Sequence, residues 1–317
     1  MHRLGKLRPG GLREEVIVTG AIGQIEAARP DRDFLQRTLV QFSFALVVFG
    51  KNLRLDLAIL VVRKAQEDQS ENRLRVLGRL QSRALTEIVR RLIAYFKFPN
   101  YYMIGGKPVF WLYRSDDFIA WEGVEKARAR LGYLRDEVKK AGFPGLHLQI
   151  SASAAPQRKV ERLPEHIRDM GADSVTFYNW AYRTWDLIHS PDNPEMTYRA
   201  WGELALKNMA EVKVWAKKGG ACLVPNITLG FNNCSRYPEP ESLVRRGVAD
   251  RTPQDFEAFA RRVRKWADEN AASGLPKLVI VNSWNEWTED SYLEPDDEFG
   301  YGYLNAIWRV FGESVGK

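Results

Sequence analysis

The amino-acid sequence predicts an α/β fold, a (β/α)8 TIM-type barrel with incomplete or atypical N-terminal strands. Three observations carry this expectation. From Val109 onward, five short apolar runs are bounded by Gly or Pro and separated by stretches with helical periodicity, the pattern of a parallel sheet with crossover helices. Three earlier strand-like runs, 15–19, 39–49 and 55–62, bring the total to eight. The last run ends in a cluster of carboxylates and aromatic rings, at the strand end where α/β proteins bind ligands.

In order along the chain, residues 66–79 are polar and charge-rich and read as an exposed linker or loose helix. From Ser82 the apolar residues Leu85, Ile88, Val89, Leu92 and Phe96 recur at helical spacing, and Pro99 with Asn100 ends the element. Gly105 and Gly106 make a turn before a strand at 109–113. Ser115 and Asp116 cap a helix running through Val124, Leu131, Leu134 and Val138 to Gly142.

The unit then repeats: a strand at 146–150, a helix over 160–170 broken by Pro164, and a strand at 174–178. After an insertion with Pro191 and Pro194 come a helix over 197–217, a strand-like run at 221–229 around Pro225, and a loop over 230–250. Thr252 at the cap and Pro253 at the first position open a helix with Phe256, Phe259, Val263 and Trp266 on one face. Residues 278–281 form a strand buried on both faces, and a last helix carries Leu304, Ile307, Trp308 and Phe311.

Charge is unevenly distributed. The formal net charge is +7, but residues 1–97 hold 18 Lys+Arg against 10 Asp+Glu, leaving 29 of the 47 basic and 30 of the 40 acidic residues for the rest. None of the 10 Trp or 12 Tyr residues precedes Tyr95. The early basic residues do not cluster with aromatics, so a nucleic-acid partner is not expected. The longest apolar run, around 39–50, is too short to span a bilayer and is interrupted by Gln41 and Ser43. Arg13, Glu14 and Glu15 arrive before any continuous apolar segment, so no secretory signal is read and a cytoplasmic location is expected. Cys222 and Cys234 read as structural thiols, and His147, at the start of a strand at the barrel's far end, reads as structural; His166 and His189 have no metal-ligand spacing with each other or with cysteine, and no metal or cofactor is expected.

The chemistry concentrates after residue 281. Glu286 and Glu289 are three apart, which puts both carboxylates on one side of a helical turn, and Trp284, Asn285, Trp287, Tyr292 and Glu294 surround them. Paired carboxylates suit sugar chemistry, one protonating a leaving oxygen while the other serves the opposing step, with aromatic faces stacking on pyranose rings. The plain alternative is a solvated helix start, where acidic residues favour the first turn. Tyr178, Asn179 and Trp180 follow an earlier strand and are expected on the same rim; a packed aromatic cluster is their alternative. Arg236 is a candidate for a sugar hydroxyl or a carboxylate. The expected partner is an oligosaccharide or polysaccharide.

Trp284-Asn285-Glu286-Trp287-Thr288-Glu289 followed by Tyr292-Leu293-Glu294-Pro295 resembles the signature of the family 99 glycoside hydrolases, which include endo-α-mannosidases, and of the WbsX-like proteins of bacterial polysaccharide loci. Gly106-Lys107-Pro108-Val109-Phe110, the run from Ser174 to Trp180, and the run from Pro225 to Asn232 fit the same group, so that the likeness covers residues 84–311. The resemblance implies a catalytic barrel portion over 81–317 preceded by an atypical, Arg-rich segment over 1–80, whose abrupt change of character suggests foreign sequence such as a shifted reading frame.

The resemblance further implies that Glu286 takes the proton of a sugar 2-hydroxyl, which attacks the anomeric carbon, and that Glu289 protonates the leaving group and later activates water, with overall retention. Asp290 stands where the family commonly has Gly, and Phe231-Asn232 where a Trp-Asp pair is commoner. Three readings stay open at this point: a retaining glycoside hydrolase acting on mannose-type or related bacterial polysaccharide, a polysaccharide-assembly glycosyltransferase, and a non-catalytic carbohydrate-binding or truncated, inactive barrel.

Overall fold

The structure is a computed structural model. It describes residues 14–19, 71–113, 115–152, 160–181, 184, 187–188, 196–232, 247–270, 272 and 275–312. Of the three early strand-like runs, the first is β1 (Glu14–Thr19); those at 39–49 and 55–62 lie outside the described residues, as does most of the segment 1–80.

Helix α1 (Glu71–Phe96) begins earlier than its apolar stripe predicts, extending back through the charged stretch. Arg, Leu and Glu are good helix formers, so length is set by propensity while Val89, Leu92 and Phe96, each at most 3 % exposed, fix the buried face. Strands β2 (Met103–Ile104) and β3 (Lys107–Leu112) form a hairpin with Ile104 paired to Lys107. Its two connecting residues, Gly105 and Gly106, have φ of 57° and 76°, a conformation that glycine adopts without the clash a Cβ would bring.

Helices α2 (Ser115–Glu122) and α3 (Val124–Lys140) lead to β4 (His147–Ser151), buried along its whole length. A 3-10 turn (Val160–Arg162) then opens α4 (Leu163–Met170). Pro164 therefore lies in the first turn of a helix, where its missing N–H has no partner to lose, rather than breaking one. Strand β5 (Ser174–Thr176) follows, then β6 (Met196–Thr197) and α5 (Tyr198–Gly219), whose Thr197 side chain caps it by accepting from the Ala200 N–H at 3.2 Å.

The run 221–229 splits into β7 (Cys222–Leu223), paired with β5, and β8 (Asn226–Thr228), paired with β10 (Lys277–Asn282). Pro225 sits at the changeover, lacking an N–H for a ladder; Val224 N–H still donates to Val175 O at 2.8 Å while Pro225 O accepts from Ile280 N–H at 2.9 Å. β1 pairs with the other edge of β10, Val16 opposite Val279. The parallel order is thus β3–β4–β5–β7/β8–β10–β1, a curled sheet. Among the described residues this is part of a barrel, and the complete eight-strand closure expected from the sequence is not seen.

The helices cover the outer face. β9 (Val248–Ala249) pairs with β6 and leads to α6 (Pro253–Asn270), capped as predicted by Thr252, whose Oγ1 accepts from Asp255 N–H at 3.1 Å. After β10 come a hairpin, β11 (Asn285–Glu286) and β12 (Ser291–Tyr292), and α7 (Gly302–Phe311). Trp180, Tyr198, Trp201 and Phe259 meet edge-on or tilted at centroid separations of 5.4 to 6.3 Å where α5 and α6 approach the sheet. That approach needs Gly202: a Cβ there would lie 2.4 Å from the Phe259 ring. Because the sheet is parallel, all its strands end on one rim, where the site assembles. No helix among the described residues is long and apolar enough to cross a membrane.

Candidate active site

Strand β10 is six residues long and buried from Leu278 to Asn282, so the hairpin after it starts from a fixed point. The chain then turns back on itself. Asn285 pairs with Tyr292 and Glu286 with Ser291, and a 3-10 turn (Trp287–Glu289) closes the loop. Two serines tie this hairpin to the strand: Ser283 Oγ donates to Ser291 O at 2.6 Å, and Ser291 Oγ reaches Asn282 O at 2.9 Å and Asn282 Oδ1 at 3.0 Å. Trp284 O accepts from both Leu293 N–H and Glu294 N–H. The turn itself is held from the neighbouring loop, where Asn232 N–H donates to Glu289 O at 2.8 Å.

The two carboxylates do not stand on an α-helix. Glu286 ends β11 and Glu289 ends the 3-10 turn, so a hairpin rather than a helical face carries both. Their environments differ. Glu289 is 8 % exposed and Glu286 is half-buried. Both act on one group, the Tyr178 phenol just beyond the end of β5, which feels the charge of Glu289 and then that of Glu286. Burial, then the charges of Glu289 and Glu286, then Tyr113 raise the Tyr178 phenol well above its ordinary range, so it stays protonated. Tyr113, just beyond β3, packs on Tyr178 with ring centroids 5.0 Å apart. Three strand ends thereby converge on one pair of acids.

Trp287 is 47 % exposed and lies flat on Tyr292, centroids 3.8 Å apart and planes 15° from parallel. Its Nε1–H donates to Glu294 Oε2 at 2.5 Å. One indole face is thus covered by Tyr292, while Tyr292, 8 % exposed, is the buried floor of this stack rather than an open sugar platform. Its hydroxyl faces inward to Arg251, which also holds Asp290 and Tyr303. Burial raises the Asp290 carboxyl, against the opposing charge and hydrogen bond of Arg251.

Other sequence candidates are placed differently. Trp180 is 3 % exposed, its Nε1–H donates to Asn226 O at 2.9 Å, and its ring belongs to the packed cluster with Tyr198, Trp201 and Phe259; the indole has no face for a ligand. Asn179 is 9 % exposed and its Oδ1 accepts from Ala181 N–H at 3.1 Å, shaping the backbone after Tyr178. Trp284 is partly buried against the core, and Asn285 is half-buried in β11. Arg236 lies outside the described residues. Arg251 and Tyr113 were not picked out from the sequence. Tyr113 had a signal, its place at the C-terminal end of the strand read at 109–113, but Arg251 had none, since its partner Asp290 is 39 residues away. Among the described residues no group of three or more His, Cys, Asp or Glu side chains could hold a metal ion.

A curled parallel sheet with acids and aromatics on its C-terminal rim puts the chain in the class of barrel-related α/β proteins, and a solved structure described as a glycoside hydrolase-like protein shares the fold at a TM-score of 0.51 and 16 % identity, over 73 % of this chain and 61 % of that one. The chain belongs to the family described as glycosyltransferase WbsX, whose model matches residues 68–307. The protein WxcX of Xanthomonas campestris pv. campestris, itself uncharacterised, is 27 % identical over 229 residues, 69 % of this chain and 29 % of that protein, so the chain spans under a third of the length of this curated relative. A family 99 endo-α-mannosidase from Bacteroides thetaiotaomicron is 19 % identical, with a TM-score of 0.42 over 70 % of this chain and 60 % of its own.

Proposed function

We propose that this chain is a glycan-processing enzyme, a retaining glycoside hydrolase acting on mannose-type or related bacterial polysaccharide, with Glu286 and Glu289 as its catalytic pair. The observation that carries the reading is the Tyr178 phenol under the charge of two carboxylates of unlike burial. Glu289, the more buried of the two, suits the acid role, and the half-buried Glu286 suits the base.

In the first step the Glu286 carboxylate takes the proton of the sugar 2-hydroxyl as that oxygen bonds to the anomeric carbon, and Glu289 gives its proton to the departing glycosidic oxygen. In the second, water bonds to the anomeric carbon, Glu289 takes the water proton, and Glu286 returns its proton to the 2-oxygen as the internal bond breaks. Two inversions at one carbon give retention. Trp287 presents its uncovered face to a sugar ring, and Glu294, already accepting from the Trp287 indole, is placed to accept from a hydroxyl beside it.

The test is product analysis on yeast α-mannan and a panel of bacterial polysaccharides, following the anomeric configuration of the released sugar by proton NMR. Retained configuration supports the reading, and inverted product contradicts it. A second reading, transfer rather than hydrolysis, is favoured by the family's description. Sugar transfer from a panel of nucleoside diphosphate sugars to a polysaccharide acceptor, without hydrolysis of either, would replace the hydrolase with a glycosyltransferase.

A further inference from the structure

Arg251 lies in the loop between β9 and α6, while the acid pair lies on the hairpin after β10, so the two come from adjacent strand-to-helix connections of the sheet. Its side chain is 10 % exposed. Nε–H donates to Asp290 Oδ2 at 3.0 Å and the second guanidinium nitrogen pairs with Asp290 Oδ1, a two-pronged contact that fixes orientation as well as distance. The same guanidinium donates to Tyr303 Oη at 3.1 Å and to Tyr292 Oη at 3.3 Å, and its carbon lies 5.1 Å from the Tyr292 ring centroid. Four of its hydrogen bonds are thus spent inside the protein.

Asp290 follows Glu289 directly and has φ of 55°, the left-handed region that glycine enters freely. An aspartate there is held by something, and the contact in view is Arg251. Gly230 lets the parts close up: a Cβ on it would meet Asp290 O at 2.4 Å and Arg251 Cδ at 2.8 Å. On the other side of the hairpin, Tyr292 carries Trp287 on its face. One guanidinium therefore grips the residue after the proposed acid and the ring beneath the proposed sugar platform.

We propose that Arg251 is a positioning residue that locks the Trp287–Glu289 turn and the Tyr292 ring into one rigid unit, with Asp290 as its counter-charge. Its consequence for turnover rests on the hydrolase reading; the locking itself does not. Lysine cannot replace it fully, because an ammonium does not offer the planar fork that meets a carboxylate and two phenols together.

Amide hydrogen exchange of the whole chain separates the two. In Arg251→Met, peptides spanning 284–294 should exchange about tenfold faster while peptides from α5 and β10 keep their protection. Arg251→Lys should recover part of it, and Asp290→Asn, at a partly exposed position that tolerates the change, should loosen the same peptides. Unchanged exchange at 284–294 in both Arg251→Met and Asp290→Asn overturns the proposal. On yeast α-mannan, Arg251→Met should lower kcat about tenfold or more with a smaller change in KM, again partly rescued by Lys. A wild-type kcat alongside faster exchange removes Arg251 from the positioning role. If instead Glu289→Gln keeps full activity, the hydrolase reading falls, and the exchange result decides the lock alone.

Discussion

The Tyr178 ring packs on Tyr113 with centroids 5.0 Å apart, and its phenol feels the charge of Glu289 and then that of Glu286. The end of β5 is thereby coupled electrostatically to the hairpin after β10.

Removing the hydroxyl should therefore disturb catalysis more than binding. Tyr178→Phe removes a polar group that feels the Glu289 charge and leaves the ring packing on Tyr113 intact. We expect kcat to fall by about 10 to 100 fold with KM little changed, measured in steady-state kinetics.

Trp287→Ala should do the reverse. The indole is half exposed, and its loss removes a stacking face without touching either acid. KM should rise about tenfold with kcat nearly retained, since contact with a spectator ring is made equally in ground and transition states.

Acid should destabilise the protein through His166. This ring is 2 % exposed, its Nε2 lies 2.7 Å from Ser115 Oγ, and burial, opposed weakly by Asp169, lowers its pKa to about 4. The unfolded chain, titrating near 6.5, then binds the proton more tightly than the folded one, so the stabilisation is complete above about pH 6.5 and is lost as pH falls toward 4. The loss is on the order of 3 kcal/mol. Tm measured from pH 7 to pH 4 should drop steeply, and His166→Asn should flatten that dependence.

Gly202→Ala tests the packing beneath the site. The added methyl would meet the Phe259 ring, and overpacking of this kind costs about 1 to 3 kcal/mol. A lower denaturation midpoint with an unchanged slope is the expected result.

Where structure depends on local pattern, it was legible in the sequence. The buried run of β10, the Thr252–Pro253 helix start and the Gly105–Gly106 turn each depend on residues a few positions apart. The local setting of Glu286 and Glu289 differs from the expected helical turn: a hairpin with a 3-10 turn carries them. Orientation was harder. Trp180 and Tyr178 are two residues apart after the same strand, and only the tertiary packing sends one ring to the acids and the other into the core. Arg251 was invisible for a related reason: its meaning depends on Asp290, and a single arginine in a loop reads as surface charge until the fold brings them together.

The most direct measurement is turnover by Glu289→Gln beside the unaltered protein, on a glycan that the unaltered protein cleaves, with binding followed in parallel by calorimetry. We predict a rate lower by about 100 fold or more with affinity kept within a few fold. A rate close to that of the unaltered protein would contradict the assignment of the buried carboxyl as the proton donor.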